Sequence, residues 1–333
     1  MAFASKNIAA LDIGSHTARL LVSQWREGAA SLSPLLRRRA YIKLAEDFEI
    51  PERRTVKAEA VERTLRVLDD FVSSARSLGA AEIVAVATGV MREANNQAAF
   101  LNAIRDRTGI EVKPISGEEE AFLTGLGVRH ALQIQAEPFV IFDLGGGSTE
   151  FLIGVEGATQ AFSLPLGAAI YTYRFFRSDP PDSREIEGME KEVSTELRAF
   201  RGIRPVEGCL LVGTGGTVTT LAALIHKISI DEISPERMNG LILTMTDLGD
   251  LLARMKKMAR QERVDLLGLD PERADVILAG FLIVMMIMRC FRASELKVSL
   301  SDLLEGTLIS FLNAEGDSKS MRLPSTYPQG GLS

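Results

Sequence analysis

Phe139-Val-Ile-Phe-Asp143-Leu-Gly-Gly-Gly147-Ser-Thr-Glu150-Phe-Leu-Ile-Gly154 is the stretch from which the rest of the chain is read. Apolar runs flank it, Phe139 to Phe142 and Phe151 to Ile153, and each reads as a strand. Between them Gly145, Gly146 and Gly147 remove every Cβ that could hold a ligand off the backbone, so several N–H groups can converge on one anion. Ser148 and Thr149 complete the turn. A carboxylate before it, Asp143, and another seven residues on, Glu150, would repel a bare phosphate. They make sense with a divalent cation between carboxylate and phosphate, because Mg²⁺ takes hard oxygen ligands. The stretch therefore reads as a strand–turn–strand phosphate hairpin with metal ligands at its rim.

The pattern occurs once more. Shifted back by 131 residues, it falls without a gap on Asp12-Ile-Gly14-Ser15-His16-Thr17-Ala-Arg-Leu-Leu-Val22. Asp12 lands on Asp143, Gly14 on Gly145 and Thr17 on Ser148. A second echo links Val86-Ala-Thr-Gly-Val90 to Val212-Gly213-Thr214-Gly215-Gly216, which Thr217 follows. Two echoes in the same order predict an internal duplication, with two halves facing each other across one site.

At 333 residues the chain has room for about two domains with full cores. Its 46% hydrophobic and 25% charged residues are ordinary for a soluble globular protein. A net charge of −6 argues against a nucleic-acid binder held by bulk charge. Local amides, a few arginines and a metal could still hold a polyanion. Cys209 and Cys290 lie in apolar runs and read as buried thiols of a reducing compartment, and three scattered histidines cannot build a zinc site of the usual spacing. The N-terminus lacks the apolar core of a signal peptide, since Asp12 interrupts it. Val276–Met288 is apolar for 13 residues, short of the roughly 20 that span a bilayer, so a buried core helix is expected. A cytoplasmic protein that binds no membrane is the expectation.

Strands alternate with helices in both halves, which predicts an α/β fold. Ser31 to Leu44 reads as a third strand after the first hairpin. Its Arg37-Arg38-Arg39 fits a solvated strand edge better than a patch that steers polyanions. Ser116 suits a helix N-cap, with Glu118, Glu119 and Glu120 in the first turn, where the helix dipole favours acids. Tyr171 and Tyr173 are read as shaping a strand-to-helix connection, and residues from Asn313 to Ser333 as a disordered polar tail.

Three segments, Asp12-Ile-Gly-Ser, Asp143-Leu-Gly-Gly-Gly-Ser-Thr-Glu and Gly213-Thr-Gly-Gly-Thr, resemble the phosphate and nucleotide loops of the actin, sugar-kinase and chaperone ATPase superfamily. Within it the chain is similar to the exopolyphosphatase and guanosine-pentaphosphate phosphohydrolase family. The narrower likeness lies in Ala87-Thr-Gly-Val-Met-Arg92-Glu-Ala, Ile115-Ser-Gly-Glu-Glu-Glu120-Ala, Ser163-Leu-Pro-Leu-Gly-Ala and Glu305-Gly. The resemblance implies two duplicated ribonuclease H-like, actin-like domains, residues 1–133 and 134–312, around a cleft. It implies that the last helix, 303–313, packs back onto the first domain. It also implies a Mg²⁺-dependent hydrolase that releases orthophosphate from inorganic polyphosphate or from the 5′ end of guanosine pentaphosphate (pppGpp), as a homodimer.

Residue by residue, the resemblance makes Glu120 the base for the attacking water and Glu150 its partner in positioning water or metal. Asp143 and Asp12 become Mg²⁺ ligands across the cleft, Arg92 the substrate-phosphate arginine, and the three glycine loops the phosphate cradles. The chain departs from the family pattern in two places. His16 stands where Asn is common, and Leu304 where Arg usually precedes Glu305-Gly, which leaves one phosphate contact to another basic residue. Two other readings stay open: a kinase or ATPase gripping a nucleotide with Gly213–Thr217, and a sensor that binds polyphosphate or alarmone without cleaving it.

Overall fold

The computed structural model describes residues 5–26, 32–45, 54–135, 137–199, 208–267 and 271–314. The first half runs β1 (Ser5–Ile13), β2 (Thr17–Arg26), β3 (Ser33–Tyr41), α1 (Ala58–Ser77), β4 (Ala80–Ala87), α2 (Val90–Glu93), α3 (Gln97–Thr108), β5 (Val112–Pro114) and α4 (Gly117–Leu132). The second runs β6 (Phe139–Leu144), β7 (Thr149–Val155), β8 (Ala158–Leu164), α5 (Ala168–Phe175), α6 (Ser183–Ala199), β9 (Leu210–Thr214) and α7 (Gly216–His226). It continues with α8 (Pro235–Met238), β10 (Ile242–Thr244), α9 (Met245–Met255), α10 (Arg260–Leu267), α11 (Pro271–Cys290), β11 (Glu295–Val298) and α12 (Leu303–Ala314).

The first sheet has the order β3-β2-β1-β4-β5 and the second, read from the matching edge, β8-β7-β6-β9-β11-β10. In each, three antiparallel strands are followed by two parallel ones, and β10 adds an antiparallel edge to the second. The two mixed sheets make an α/β fold whose halves repeat one topology. The second echo is displaced: β4 sets Val86 beside Asp12, whereas β9 sets Thr214 beside Asp143. The two Thr-Gly turns therefore differ by two residues in the ladder.

The central strands β1 and β6 are buried almost throughout, which is why they read as continuous apolar runs rather than alternations. The run Val276–Met288 lies within α11 and is largely buried in the second core. Among the described residues no helix is long and apolar enough to cross a membrane.

Between the sheets lie α4 and α12, exchanged with respect to chain order. Helix α4 follows the first sheet yet packs on β6, β7 and β8; α12 follows the second yet packs on β1 and β2. Leu304, Leu308 and Leu312 cluster with Ile8, Ala10 and Leu21, while Val128 joins Ile141 and Leu152. The two helices meet backbone to backbone. A methyl group on Gly306 would overlap the Leu123 carbonyl, and one on Gly127 the Asp302 carbonyl.

Three sequence expectations change. Tyr171 and Tyr173 lie in α5, a helix in its own right, with Tyr171 buried in the second core. Helix α12 extends through Asn313 to Ala314, and the expected tail beyond it lies outside the described residues. The arginine triplet is not a uniformly solvated edge: Arg37 pairs with Glu305, and Arg38 with Asp70 of α1.

Candidate active site

The turns of the two hairpins close in the same way, Gly14 N–H donating to the Thr17 carbonyl and Gly145 N–H to that of Ser148, each at 3.0 Å. They also touch each other. A methyl on Gly146 would come within 3.2 Å of His16 Cβ, and one on Gly147 within 3.2 Å of Ser15 Oγ. Asp12 and Asp143 therefore open onto one cavity of about 440 Å³ between the sheets.

A row of residues crosses each sheet at the level of these aspartates. In the second sheet Thr214, Asp143, Glu150 and Ser163 stand side by side on β9, β6, β7 and β8. In the first sheet Asp12, Arg19 and Arg39 do so on β1, β2 and β3. Ser163 Oγ donates to Glu150 Oε1 at 2.7 Å. Arg19 Nε donates to Asp12 Oδ2 at 2.8 Å, and its Nη1 pairs with Asp302 at the start of α12. Gly215 (φ +92°) has to be glycine, since a Cβ there would lie 2.6 Å from Asp143 Oδ1.

Glu120 enters from α4, whose first turn is capped by Ser116 Oγ accepting from Glu119 N–H at 3.1 Å. Arg92 donates through Nη1 to the Ile115 carbonyl (2.9 Å) and to Glu120 Oε2 (3.3 Å). Burial pushes the Glu120 carboxyl well above its ordinary range, the charges of Glu150, Asp12 and Asp143 add to this, and Arg92 opposes it. Burial likewise raises Asp143 to about 8, with Asp302 pushing the same way and Arg19 against. Glu150 is raised by burial against hydrogen bonds from Ser148 and Ser163, and Asp12 by burial against Arg19. Burial works against the Arg19 charge, yet Asp302, Asp12 and Asp143 hold that guanidinium well above its usual value. Such a gathering of perturbed groups in one cleft marks a functional site.

The cavity wall includes Asp12, Gly14, Ser15, His16, Thr17, Glu120, Asp143, Gly145, Gly146, Gly147, Ser148, Glu150, Thr214, Gly215, Gly216 and Thr217. Two residues picked from sequence stand behind it. Arg92 reaches the site through Glu120, and Gly213 lies in β9 against Phe142. Residues not picked also border it: Arg19, Arg37, Arg273, Asp302 and Leu304. Leu304, at the usual arginine position, belongs to the core packed on β1, and Arg37 brings a guanidinium to the neighbouring Glu305 from β3. Arg19 carried a readable signal, because the repeat aligns it with Glu150.

The donor set suits magnesium. Asp143 and Glu150 are like charges directly opposed across a ladder, and Asp12 Oδ1 is buried with no hydrogen-bond partner. Among the described residues no three His, Cys, Asp or Glu side chains form a cage of their own. Mg²⁺ needs only one or two carboxylates, the remaining positions going to water and phosphate oxygens.

The chain is 31% identical to exopolyphosphatase 1 of Mycobacterium tuberculosis over 315 residues, 93% of this chain and 90% of that one. It is 28% identical to the bifunctional 3-dehydroquinate synthase/phosphatase of Fusobacterium nucleatum, matching 90% of this chain and 46% of that protein. Among solved structures, the Aquifex aeolicus member of the Ppx/GppA family superposes with a TM-score of 0.80 at 30% identity, covering 95% of this chain and all of that one. The actin-like α/β architecture is thus shared with proteins of this kind. The family model described as the Ppx/GppA phosphatase family matches residues 21–315, and the chain belongs to that family.

Proposed function

We propose that this protein is a Mg²⁺-dependent exopolyphosphatase. The observation that carries the reading is the opposed pair Asp143 and Glu150, set in the same cavity as two touching glycine turns and buried Glu120. Phosphoanhydride hydrolysis asks a protein for little covalent chemistry. It asks for an in-line water, a held terminal phosphoryl group and neutralised oxygen charge.

The backbone N–H groups inside the two turns, beyond those of Gly14 and Gly145 that close them, supply donors for the terminal phosphate together with the Thr214 and Thr217 hydroxyls. Both hydroxyl oxygens are buried with no hydrogen-bond partner in the protein. Asp143 and Glu150 would hold Mg²⁺, which when bound would offset charge between these carboxylates and the phosphate oxygens. Arg92 fixes the Glu120 carboxylate, which takes the water proton as the water oxygen bonds to phosphorus. The bridging P–O bond breaks, its electron pair stays on the shortened chain, and the water oxygen leaves in orthophosphate.

Guanosine pentaphosphate presents the same end group, and Ile230 and Ile233 on the cavity wall offer apolar surface for a base. Both substrates belong in the test. The expected result is orthophosphate release from long-chain polyphosphate with Mg²⁺, abolished by chelation. A folded protein that releases none from either substrate overturns the proposal.

A further inference from the structure

The segment Ser163-Leu-Pro-Leu-Gly167-Ala168 leads from β8 into α5 and runs against the second glycine turn. Ala168 N–H donates to the Gly145 carbonyl at 3.0 Å, and the N–H groups of Ala169 and Ile170 both donate to the Gly146 carbonyl, at 3.0 and 3.1 Å. These are the first three N–H groups of α5, which a helix cannot satisfy from within. A trans peptide points its C=O and N–H in opposite directions. With the Gly145 and Gly146 carbonyls drawn onto α5, the N–H groups of Gly146 and Gly147 are turned away from that helix, and both glycines border the cavity.

The approach is closest at Gly167. A methyl group there would overlap the Gly146 carbonyl oxygen and the Gly147 Cα. Its φ of −116° is open to any residue, so contact alone demands glycine. The peptide before it is tethered as well: Thr149, the fully buried first residue of β7, donates its hydroxyl to the Leu166 carbonyl. The first half carries the same device. Ala45 N–H donates to the Ser15 carbonyl at 2.9 Å, and Ile42 and Lys43 N–H to the His16 carbonyl at 2.9 and 3.0 Å. These donors again follow the third strand of their sheet, and the 131-residue repeat aligns Ser15 with Gly146.

We infer that Gly167 and Thr149 are positioning residues, which fix the peptides of the second turn so that its N–H groups meet a phosphate without rearranging. This rests on reading the turns as phosphate cradles. Both act through the backbone: Gly167 by letting α5 reach the turn, Thr149 by holding the Leu166 carbonyl. Donors already in place cost no reorganisation when an anion arrives, so a turn free to rotate its peptides binds phosphate less tightly.

The test measures equilibrium binding of orthophosphate in the presence of Mg²⁺, beside orthophosphate release from polyphosphate, for wild type, Gly167→Ala, Thr149→Val, Thr149→Ser and Gly249→Ala. Gly167→Ala is expected to weaken orthophosphate binding by about tenfold to a hundredfold, the worth of one hydrogen bond to a charged group. Thr149→Val, which keeps the shape and removes the tether, should weaken it by about threefold to tenfold, with Thr149→Ser recovering most of the loss. Gly249→Ala, in α9 with nothing near the added methyl, should stay within about twofold of wild type. A folded Gly167→Ala with wild-type affinity overturns the inference, as do variants that lose only thermal stability while their folded fraction binds phosphate normally. Should Gly167→Ala fail to fold, the Thr149 pair decides. A wild type that binds orthophosphate but releases none from polyphosphate or guanosine pentaphosphate refutes the hydrolase reading alone, and the binding comparison still decides the clamp. A wild type that binds no orthophosphate overturns both.

Discussion

Asp143 and Glu150 face each other as register partners on β6 and β7, and the corresponding partners in the first hairpin are Asp12 and Arg19. One duplicated hairpin therefore pairs its aspartate with a cation, and the other pairs it with a second acid. The first can neutralise itself. The second must borrow charge, from protons or from a metal, and that difference sets the chemistry of the two halves.

Without metal, Asp143 borrows a proton. Its native pKa of about 8 stands far above the roughly 3.9 of an unfolded aspartate. Between those values the native state holds a proton that the unfolded chain has released, so stability falls as pH rises through this window. The metal-free protein should melt several degrees lower at pH 8.5 than at pH 5.5. Asp143→Asn should flatten that dependence, and added Mg²⁺ should restore more stability at the higher pH. Thermal melts at both pH values check the sign; a wild type that gains stability toward pH 8.5 contradicts it.

Glu120 is held by Arg92 within a cluster of carboxylates, as a base for water must be. Glu120→Gln keeps the shape and removes the base, so turnover should drop by about 10²–10⁴ while KM moves little. Steady-state orthophosphate release separates the two parameters. A variant with unchanged turnover removes Glu120 from the chemistry.

Ser163 touches the site only through Glu150, donating at 2.7 Å, and it packs under Gly117 at the start of the helix that brings Glu120. Ser163→Ala leaves a buried carboxylate oxygen one donor short. We expect about a tenfold lower turnover and a weaker Mg²⁺ response, with Ser163→Thr recovering part of both. Metal titration of the rate is the measurement, and a variant that loses rate with the same Mg²⁺ midpoint argues for a merely structural role.

Two glycines should respond oppositely to alanine. Gly306→Ala forces a methyl into the Leu123 carbonyl and should cost about 2–4 kcal/mol or prevent folding. Gly249 lies within α9 with nothing near its missing Cβ, so Gly249→Ala should stabilise by about 0.5–1 kcal/mol. Chemical denaturation of the two variants tests the pair.

Much of the site was legible because its elements are local. A glycine turn between two apolar runs announces a hairpin, and the 131-residue repeat puts Asp12 beside Asp143 without knowledge of the fold. The partners of Arg19 and Arg37 were not legible. Asp302 and Glu305 lie 283 and 268 residues away, and only the return of α12 to the first sheet brings them in. The sequence sets Arg92 toward substrate phosphate, but a helix-start arginine after a strand does not disclose its contacts with Glu120 and the Ile115 carbonyl. Helix α5 went unread because its eight residues follow Gly167 with little periodic pattern.

The exchange of α4 and α12 makes the halves interdependent. A chain severed between residues 133 and 134 would leave α4 without the strands it covers, and α12 without β1 and β2. Each fragment would carry a limb built for the other, so the two pieces should be recovered folded only when produced together.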